Sequence, residues 1–334
     1  MKINQKIDAV FTWVDGNDSR WINKKQLFLN KNPNSLKNKK VNSKGRFFDN
    51  EELKYSLRSI SEFAPWVNNI YIVTDNQVPK WLDTSHPKIK IIDHKDIFNL
   101  NNLPSFNSMA IEMNLHKIKN LSNYFLSFND DFFIGRETNE DDFFDNGKPK
   151  LFCGKKKLTL DNLAKKVLSN EYQHGNNNAR MLIYNKYNYF PNFNLRHSIK
   201  VLDKKTIEDL EDTFFEEFEN TRSNNFRTRG DVWIMALYAF YSVANGSNQP
   251  FYIAPLRKDL IRYKMSYLRR GREYTYLTLT NSSLKKIKSK FSAIRKYNPL
   301  MFCINDGPNV SDYKRSITKS FLGKYFPNKS VFEK

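Results

Sequence analysis

Three apolar runs in this sequence stop abruptly at carboxylates. Ile7-Asp8-Ala9-Val10-Phe11-Thr12-Trp13-Val14 ends at Asp15-Gly16-Asn17-Asp18, and Ile70-Tyr71-Ile72-Val73-Thr74 runs into Asp75-Asn76. Tyr124-Phe125-Leu126-Ser127-Phe128 runs into Asn129-Asp130-Asp131, with Phe132-Phe133-Ile134-Gly135 beyond. Continuous β-branched and aromatic runs suit strands buried on both faces of a parallel sheet. In such sheets ligands bind outside the carboxyl ends of the strands. Acidic groups gathered at those ends therefore point to a shared crevice. Taken singly, each end is also ordinary turn chemistry, and Gly16 permits a tight turn.

The fold class expected is α/β, with a Rossmann-like, mostly parallel central sheet. Strand patterns fall at Ala9–Val14, Asn69–Thr74, Ile89–Asp93, Tyr124–Phe128, Lys150–Cys153, Phe251–Pro255 and Leu300–Asn305. Helical spacing appears between the early ones, as in Glu51 to Ile60, where Asp49-Asn50 offers a capping signal. Alternation of the two patterns implies crossover connections. The region 203–244 reads as a helical insertion capped by Asp203, and 30–45 as a mobile polar loop. One domain over 1–334 accommodates all of this.

Lys and Arg number 55 against 35 Asp and Glu, a formal charge of +20. Such a balance favours an anionic partner, although the lysines are spread through the chain. The dense spots are Lys37-Asn38-Lys39-Lys40, Lys155-Lys156-Lys157 and Arg269-Arg270-Gly271-Arg272. No run approaches the ~20 apolar residues of a membrane span, and the N-terminus lacks the apolar stretch of a secretory signal. Two cysteines, Cys153 and Cys303, are too few for a disulfide framework or a cysteine-built metal centre. The expected location is cytoplasmic.

Adjacent carboxylates repel unless a cation screens them. Asp130-Asp131 therefore points to a divalent ion, and oxygen ligands beside a phosphate favour Mg2+ or Mn2+; the alternative is a solvated turn. His197, in Arg196-His197-Ser198, is the most plausible acid or base, with a helix expected after it. Phe226-Arg227-Thr228-Arg229-Gly230-Asp231 sets two guanidiniums beside an expected helix start, suited to phosphate or simply to solvent. Phe302-Cys303-Ile304-Asn305-Asp306-Gly307 is a fourth strand with a polar end. There is no phosphate-cradling glycine loop, no nucleophile elbow, and no zinc spacing among His86, His94, His116, His174 and His197.

Together these motifs resemble the Stealth proteins, a family that includes bacterial capsule-polysaccharide phosphotransferases and the animal GlcNAc-1-phosphotransferase. The first matching region is Ile7 to Asp18. The second begins at Arg46-Phe47-Phe48-Asp49-Asn50-Glu51-Glu52 and runs through Ile70 to Leu82 and Leu103 to Ser108. It closes at Phe128-Asn129-Asp130-Asp131-Phe132-Phe133-Ile134-Gly135. A third spans Arg196-His197 to Arg227 and Asp231, without the family's usual proline near the histidine. A fourth lies at Cys303-Ile304-Asn305-Asp306, with a family-like ending from Tyr325 to Lys334.

The resemblance implies a glycosyltransferase-A-like fold and a reaction. A UDP-hexose, such as UDP-GlcNAc or UDP-ManNAc, gives its sugar-1-phosphate to an acceptor hydroxyl, UMP leaves, and a phosphodiester forms. It implies Asp130 and Asp131 near the metal, with Asp306 as a further ligand. Arg227 would hold phosphate, His197 would act as base, and Asp15 would line the donor crevice. Asp75, Asn76, Arg229, Asp231 and Asn305 are the expected substrate contacts. The implied partners are a UDP-sugar donor, a capsule oligosaccharide acceptor, and export machinery at the inner membrane. The rival enzyme is a metal-dependent glycosyltransferase that releases UDP. A polyanion- or nucleic-acid-binding module is disfavoured, because the motifs are acidic where a binding groove should be basic.

Overall fold

The computed structural model describes residues 5–31, 47, 49–154, 157–165, 167–253, 273–307 and 309–334. In chain order the elements begin with β1 (Ile7–Thr12), α1 (Ser19–Lys31), α2 (Glu52–Phe63), β2 (Ile70–Thr74), β3 (Ile89–Asp93), α3 (Ser108–Glu112) and β4 (Tyr124–Asn129). Next come β5 (Phe132–Ile134), β6 (Phe144–Asp145), β7 (Lys148–Pro149), β8 (Leu151–Cys153), α4 (Leu160–Ala164) and α5 (Glu171–Tyr187). Then follow β9 (Lys200–Asp203), α6 (Lys204–Thr213), α7 (Phe215–Ser223), α8 (Ile234–Ala244) and β10 (Pro250–Tyr252). The last are β11 (Tyr274–Thr278), α9 (Leu284–Tyr297), β12 (Met301–Asn305) and α10 (Asp312–Tyr325).

The central sheet has the order β3-β2-β1-β4-β9. β1 pairs in parallel with both β2 and β4, with Ala9 opposite Ile70 on one side and Leu126 on the other. The chain goes from β1 to one flank and later returns to the other. That places a topological switch point between β1 and β4, where their carboxyl ends open a crevice. Alternate side chains feed two cores. Val10, Tyr71, Val73 and Phe125 enter one, and Ala9, Phe11, Ile70, Ile72, Leu126 and Phe128 enter the other. At ~1.5–3 kcal/mol per fully buried large apolar side chain, this double packing explains why these runs carry no alternation. The mostly parallel, Rossmann-like α/β architecture is as expected.

A second sheet, β11-β12-β5, lies beyond the corner at which β4 gives way to β5. α2 fixes that corner. Leu53, Leu57 and Ile60 form its buried stripe, the Ser56 hydroxyl donates to the Phe132 carbonyl, and the Ile134 N–H donates to the Ser59 hydroxyl at 3.1 Å. Asp130 and Asp131 are thus the linker between two sheets, and not a hairpin turn.

Several local expectations are corrected. α2 is not capped by Asp49 or Asn50: its N-cap is Glu51, in the left-handed region at φ 65° with no side-chain cap bond. Asp49 instead accepts the Glu51 N–H at 3.0 Å, and Glu52 turns back to accept from the Asn50 N–H at 2.6 Å. His197 precedes β9, not a helix, so no helix dipole acts on it there. Asp203 does cap α6, accepting from the Thr206 N–H at 2.8 Å. The region 203–244 is three helices interrupted at 224–233. Of the loop expected at 30–45, residues 30 and 31 belong to α1, and the rest lies outside the described residues, as do 254–255 of the strand expected to end there. Arg269-Arg270-Gly271-Arg272, Lys37-Asn38-Lys39-Lys40 and the first two of Lys155-Lys156-Lys157 lie outside them as well.

Candidate active site

A cavity of about 920 Å³ opens at the switch point, within the range of substrate-sized clefts. One wall is acidic. Asp131 is 7% exposed, and one of its oxygens accepts from Asn305 Nδ2 at 3.0 Å and Cys303 Sγ at 3.4 Å. Its other oxygen has no partner. Burial pushes its pKa up to about 6. Asp130 is held well above the usual carboxylate range by burial, then by the charges of Asp131, Glu52 and Asp49. Glu52, also buried, is raised to about 7 by desolvation, and Asp49 to about 6 by burial with the charge of Asp15 adding to it. Asp130, Asp131 and Glu52 line the cavity and Asp49 lies behind them; a cation there would relieve their mutual repulsion.

Basic side chains line the same cavity. β9 runs antiparallel to β4, with Lys200 opposite Ser127. The start of β9 therefore meets the end of β4, which brings His197 and Lys200 to the acidic corner. Lys200 is buried, its pKa lowered to about 8 by desolvation, and its ammonium donates to the Arg196 and Ser198 carbonyls at 2.7 and 2.5 Å. The His197 ring stands edge-on to Phe132 and Tyr276 at 5.1 and 5.3 Å. Burial, then the charges of Lys200 and Arg227, lower its pKa to about 3, so the ring is neutral in the empty cavity. Arg227 donates to the Ser108 hydroxyl, while its buried Nε lacks a partner. Glu112 also lines the cavity, accepting from Trp233 Nε1 at 2.8 Å, and lies near both Arg227 and Lys200.

Orphaned buried polar atoms converge on this cavity. Besides Asp131 Oδ1 and Arg227 Nε, Trp13 Nε1 and His94 Nδ1 lack partners, and all four residues line it. An unsatisfied buried polar atom costs about 1–3 kcal/mol, so a polar ligand spanning these groups would be favoured.

Of the expected site residues, His197, Arg227, Asn305, Asp130, Asp131 and Asp306 are brought together here. Asp306 is already engaged: it accepts from Arg315 Nε at 2.8 Å, Asn50 Nδ2 at 3.1 Å and the Gly307 N–H at 2.7 Å. Asp15, Asp75, Asn76, Arg229 and Asp231 do not line the cavity. The Asp15 backbone is clamped to Gln77 by two 2.9 Å hydrogen bonds, and its carboxylate accepts from the Asn17 N–H at 2.8 Å. Asp75 pairs with Lys24 at 2.6 Å. Asn76 is exposed and supplies a left-handed turn at φ 54°. Arg229 is exposed, its carbonyl accepting from Asn178 Nδ2 at 2.8 Å. Asp231 is a correction in kind. It is fully buried and accepts from Asn107 and Asn224 at 2.8 Å each, and from the Thr228 N–H and hydroxyl at 2.9 and 2.8 Å. Its carboxylate shapes the loop that carries Arg227.

The sequence reading missed Glu52, Asp49, Lys200 and Glu112. Asp49 and Glu52 sat inside a quoted motif but were read as helix-start chemistry. Lys200 and Glu112 carry no local pattern, because partners far away in sequence define them.

Oxygen donors dominate the acidic wall, which suits a hard divalent cation. One oxygen of Asp131, a ring nitrogen of His197 and the Cys303 sulfur lie within 4.8 Å of one another. The Cys303 thiol, however, is pushed far up by burial and donates to Asp131. Its hydrogen bond makes it a support for the carboxylate.

Comparison with known proteins gives the family. Residues 5–33 match Stealth protein CR1, conserved region 1; residues 46–151 match CR2, conserved region 2; residues 196–244 match CR3, conserved region 3. A capsular polysaccharide phosphotransferase of Haemophilus influenzae is 39% identical over 96% of this chain and 84% of its own length. One of Streptococcus pneumoniae is 31% identical over 98% and 99%. An exopolysaccharide phosphotransferase of Streptomyces coelicolor is 31% identical over 98% of this chain, which spans about half of that protein, 51%. Among solved structures, the galactosyltransferase LgtC with donor and acceptor sugar analogues gives a TM-score of 0.41 at 11% identity, over 95% of each chain. Three conserved regions in order, and two relatives matched over 84% and 99% of their own length at 39% and 31% identity, make this chain a member of the Stealth family.

Proposed function

We propose that this cavity transfers a hexose-1-phosphate from a UDP-hexose to a sugar hydroxyl of a capsule-type acceptor, releasing UMP. The observation that carries the reading is one cavity lined both by the carboxylates Asp130, Asp131 and Glu52 and by His197, Lys200 and Arg227. A pyrophosphate between a divalent ion and a guanidinium uses both sets of groups. The acceptor oxygen attacks the sugar-proximal phosphorus, the bond from that phosphorus to the bridging oxygen breaks, and UMP keeps the electron pair. His197 takes the hydroxyl proton. Arg227 neutralises the phosphoryl oxygens, its unpartnered Nε being the donor still to be used. Lys200 adds positive charge beside His197, and the nearby Glu112 offsets the charge of the two cations.

Asp130 and Asp131, supported by Glu52, are the residues that would hold Mg2+ or Mn2+, and such an ion would offset phosphate charge in the transition state. Asp306 is secondary in this reading because Arg315 already neutralises it. Among the described residues no helix is long and apolar enough to cross a membrane.

The decisive experiment identifies the nucleotide product. UMP from a UDP-hexose and a sugar acceptor supports phosphotransfer; UDP supports the glycosyltransferase alternative. His197→Ala should lower UMP release at least about 100-fold, in the usual range for removal of a general base. Near-normal turnover would remove His197 from the mechanism.

A further inference from the structure

α9 carries positive charge where a helix disfavours it. Its sequence holds Lys285, Lys286, Lys288, Lys290, Arg295 and Lys296, and no Asp or Glu. Lys285 and Lys286 fall in the first turn, where the positive end of the helix dipole repels cations. Lys285 and Lys288, and likewise Lys286 and Lys290, stand at spacings where like charges repel. Ile287, Phe291 and Ile294 are buried beneath the helix, while Lys285, Lys286, Lys288, Arg295 and Lys296 are exposed. None of these five has a carboxylate partner among the described residues. The ion pairs of neighbouring α10 are Arg315 with Asp306 and with Asp312, and Lys319 with Glu51, none of them involving α9.

The two ends of this face lead to concavities. Ser283 caps α9, and Thr280 and Asn281, just before it, line the catalytic cavity. At the other end, Arg295 and Asn298 join Arg136, Lys324 and Tyr325 around a depression of about 380 Å³, which Glu137 also lines and where Arg136 is paired with Asp142 at 2.7 Å. With ~1.5 Å of rise per residue, the helix between them is about 20 Å long.

We propose that the outward face of α9 is a track for an anionic, phosphodiester-linked polymer, running from the mouth of the catalytic cavity to the Arg136–Arg295–Lys324 depression. The proposal rests on the functional reading above, in which such a polymer is made. Phosphates at intervals along the helix supply the anions that its lysines lack, and many weak contacts make affinity grow with polymer length and fall with salt. A flat anionic bilayer fits less well, because both ends of the track dip into concavities that a bilayer cannot follow.

The test compares the wild type with Lys285→Gln/Lys288→Gln/Lys296→Gln by fluorescence anisotropy. The probes are fluorescein-labelled poly(glycerol phosphate) of about ten repeats, a single glycerol phosphate, neutral dextran, and phosphatidylglycerol vesicles, at about 50 and 300 mM salt. The wild type should bind the long polymer far more tightly than the monomer or dextran, with a steep loss at high salt. The triple variant should lose about tenfold in affinity at low salt, with a thermal midpoint no lower than that of the wild type and its UMP release on a short sugar acceptor unchanged. Equal polymer binding by the two proteins, or a loss confined to vesicles, overturns the track. If short-acceptor turnover is normal in both, that failure leaves the functional reading standing. If the wild type releases no UMP while long-polymer binding still depends on the three lysines, the functional reading fails and the track survives.

Discussion

Asp131→Asn should stabilise the metal-free protein while abolishing its activity. The carboxyl is buried, with one oxygen bonded to Asn305 and Cys303 and the other without a partner. Burial raises its pKa from 3.8 to about 6. Between those values the native state holds a proton that the unfolded chain has lost, so stability falls as pH rises through the window. Above about pH 6 the penalty is complete. At about 1.4 kcal/mol per pH unit, the buried charge costs about 3 kcal/mol at neutral pH. Asparagine keeps the oxygen that Asn305 and Cys303 need and removes the charge. Most of that cost should return, with a rise in Tm of roughly 5 °C. Thermal unfolding at pH 5 and pH 7.5, in EDTA and in excess Mg2+, reads this directly. The wild type should weaken between the two pH values in EDTA and recover in Mg2+; the variant should weaken less, because only Asp130, Glu52 and Asp49 still titrate there, and should respond less to the ion. A variant less stable than wild type at pH 7.5 in EDTA would refute the uncompensated-charge argument. Equal Mg2+ stabilisation of both proteins would remove Asp131 from the ion's ligands.

Three other perturbations probe the rest of the site. Lys200→Met removes a cation that depresses the His197 pKa; the base then loses its neutral form at higher pH, and the acid limb of the pH–rate profile should move upward, an unmoved limb counting against their coupling. Gly16→Ala would set a Cβ 2.0 Å from the Phe47 carbonyl oxygen, so denaturation should show a loss of about 1–3 kcal/mol, and unchanged stability would mean that this contact yields freely. Asp231→Ala strands the donors of Asn107, Asn224 and Thr228, at an expected cost of about 2–4 kcal/mol. A stable Asp231→Ala protein with a selectively raised donor KM would instead make this residue a substrate contact.

The strand cores were legible because burial on both faces leaves a direct imprint, an unbroken apolar run. Their acidic ends were legible for the same reason, since charge at the edge of such a run needs a purpose. Lys200 shows the limit: it reads as one lysine among many until β9 is laid antiparallel to β4. Glu52 shows another, because a glutamate at a helix start looks like capping whether or not it faces a carboxylate pair. Asp231 shows a related limit. An aspartate near two arginines suggests ligand chemistry, and only the loop's closure on Asn107, Asn224 and Thr228 reveals that its oxygens are spent.

The sequence by itself determined the sheet-forming runs, the carboxylates at their ends and the membership of the Stealth family, all of which are written in local order and composition. The tertiary structure alone decided which charges face one another. The crossing of β4 into the second sheet, the antiparallel return of β9 and the loop held by Asp231 bring Asp130, Asp131 and Glu52 into one cavity with His197, Lys200 and Arg227. Electrostatic energy depends on distance and burial, and neither is fixed by separation along the chain.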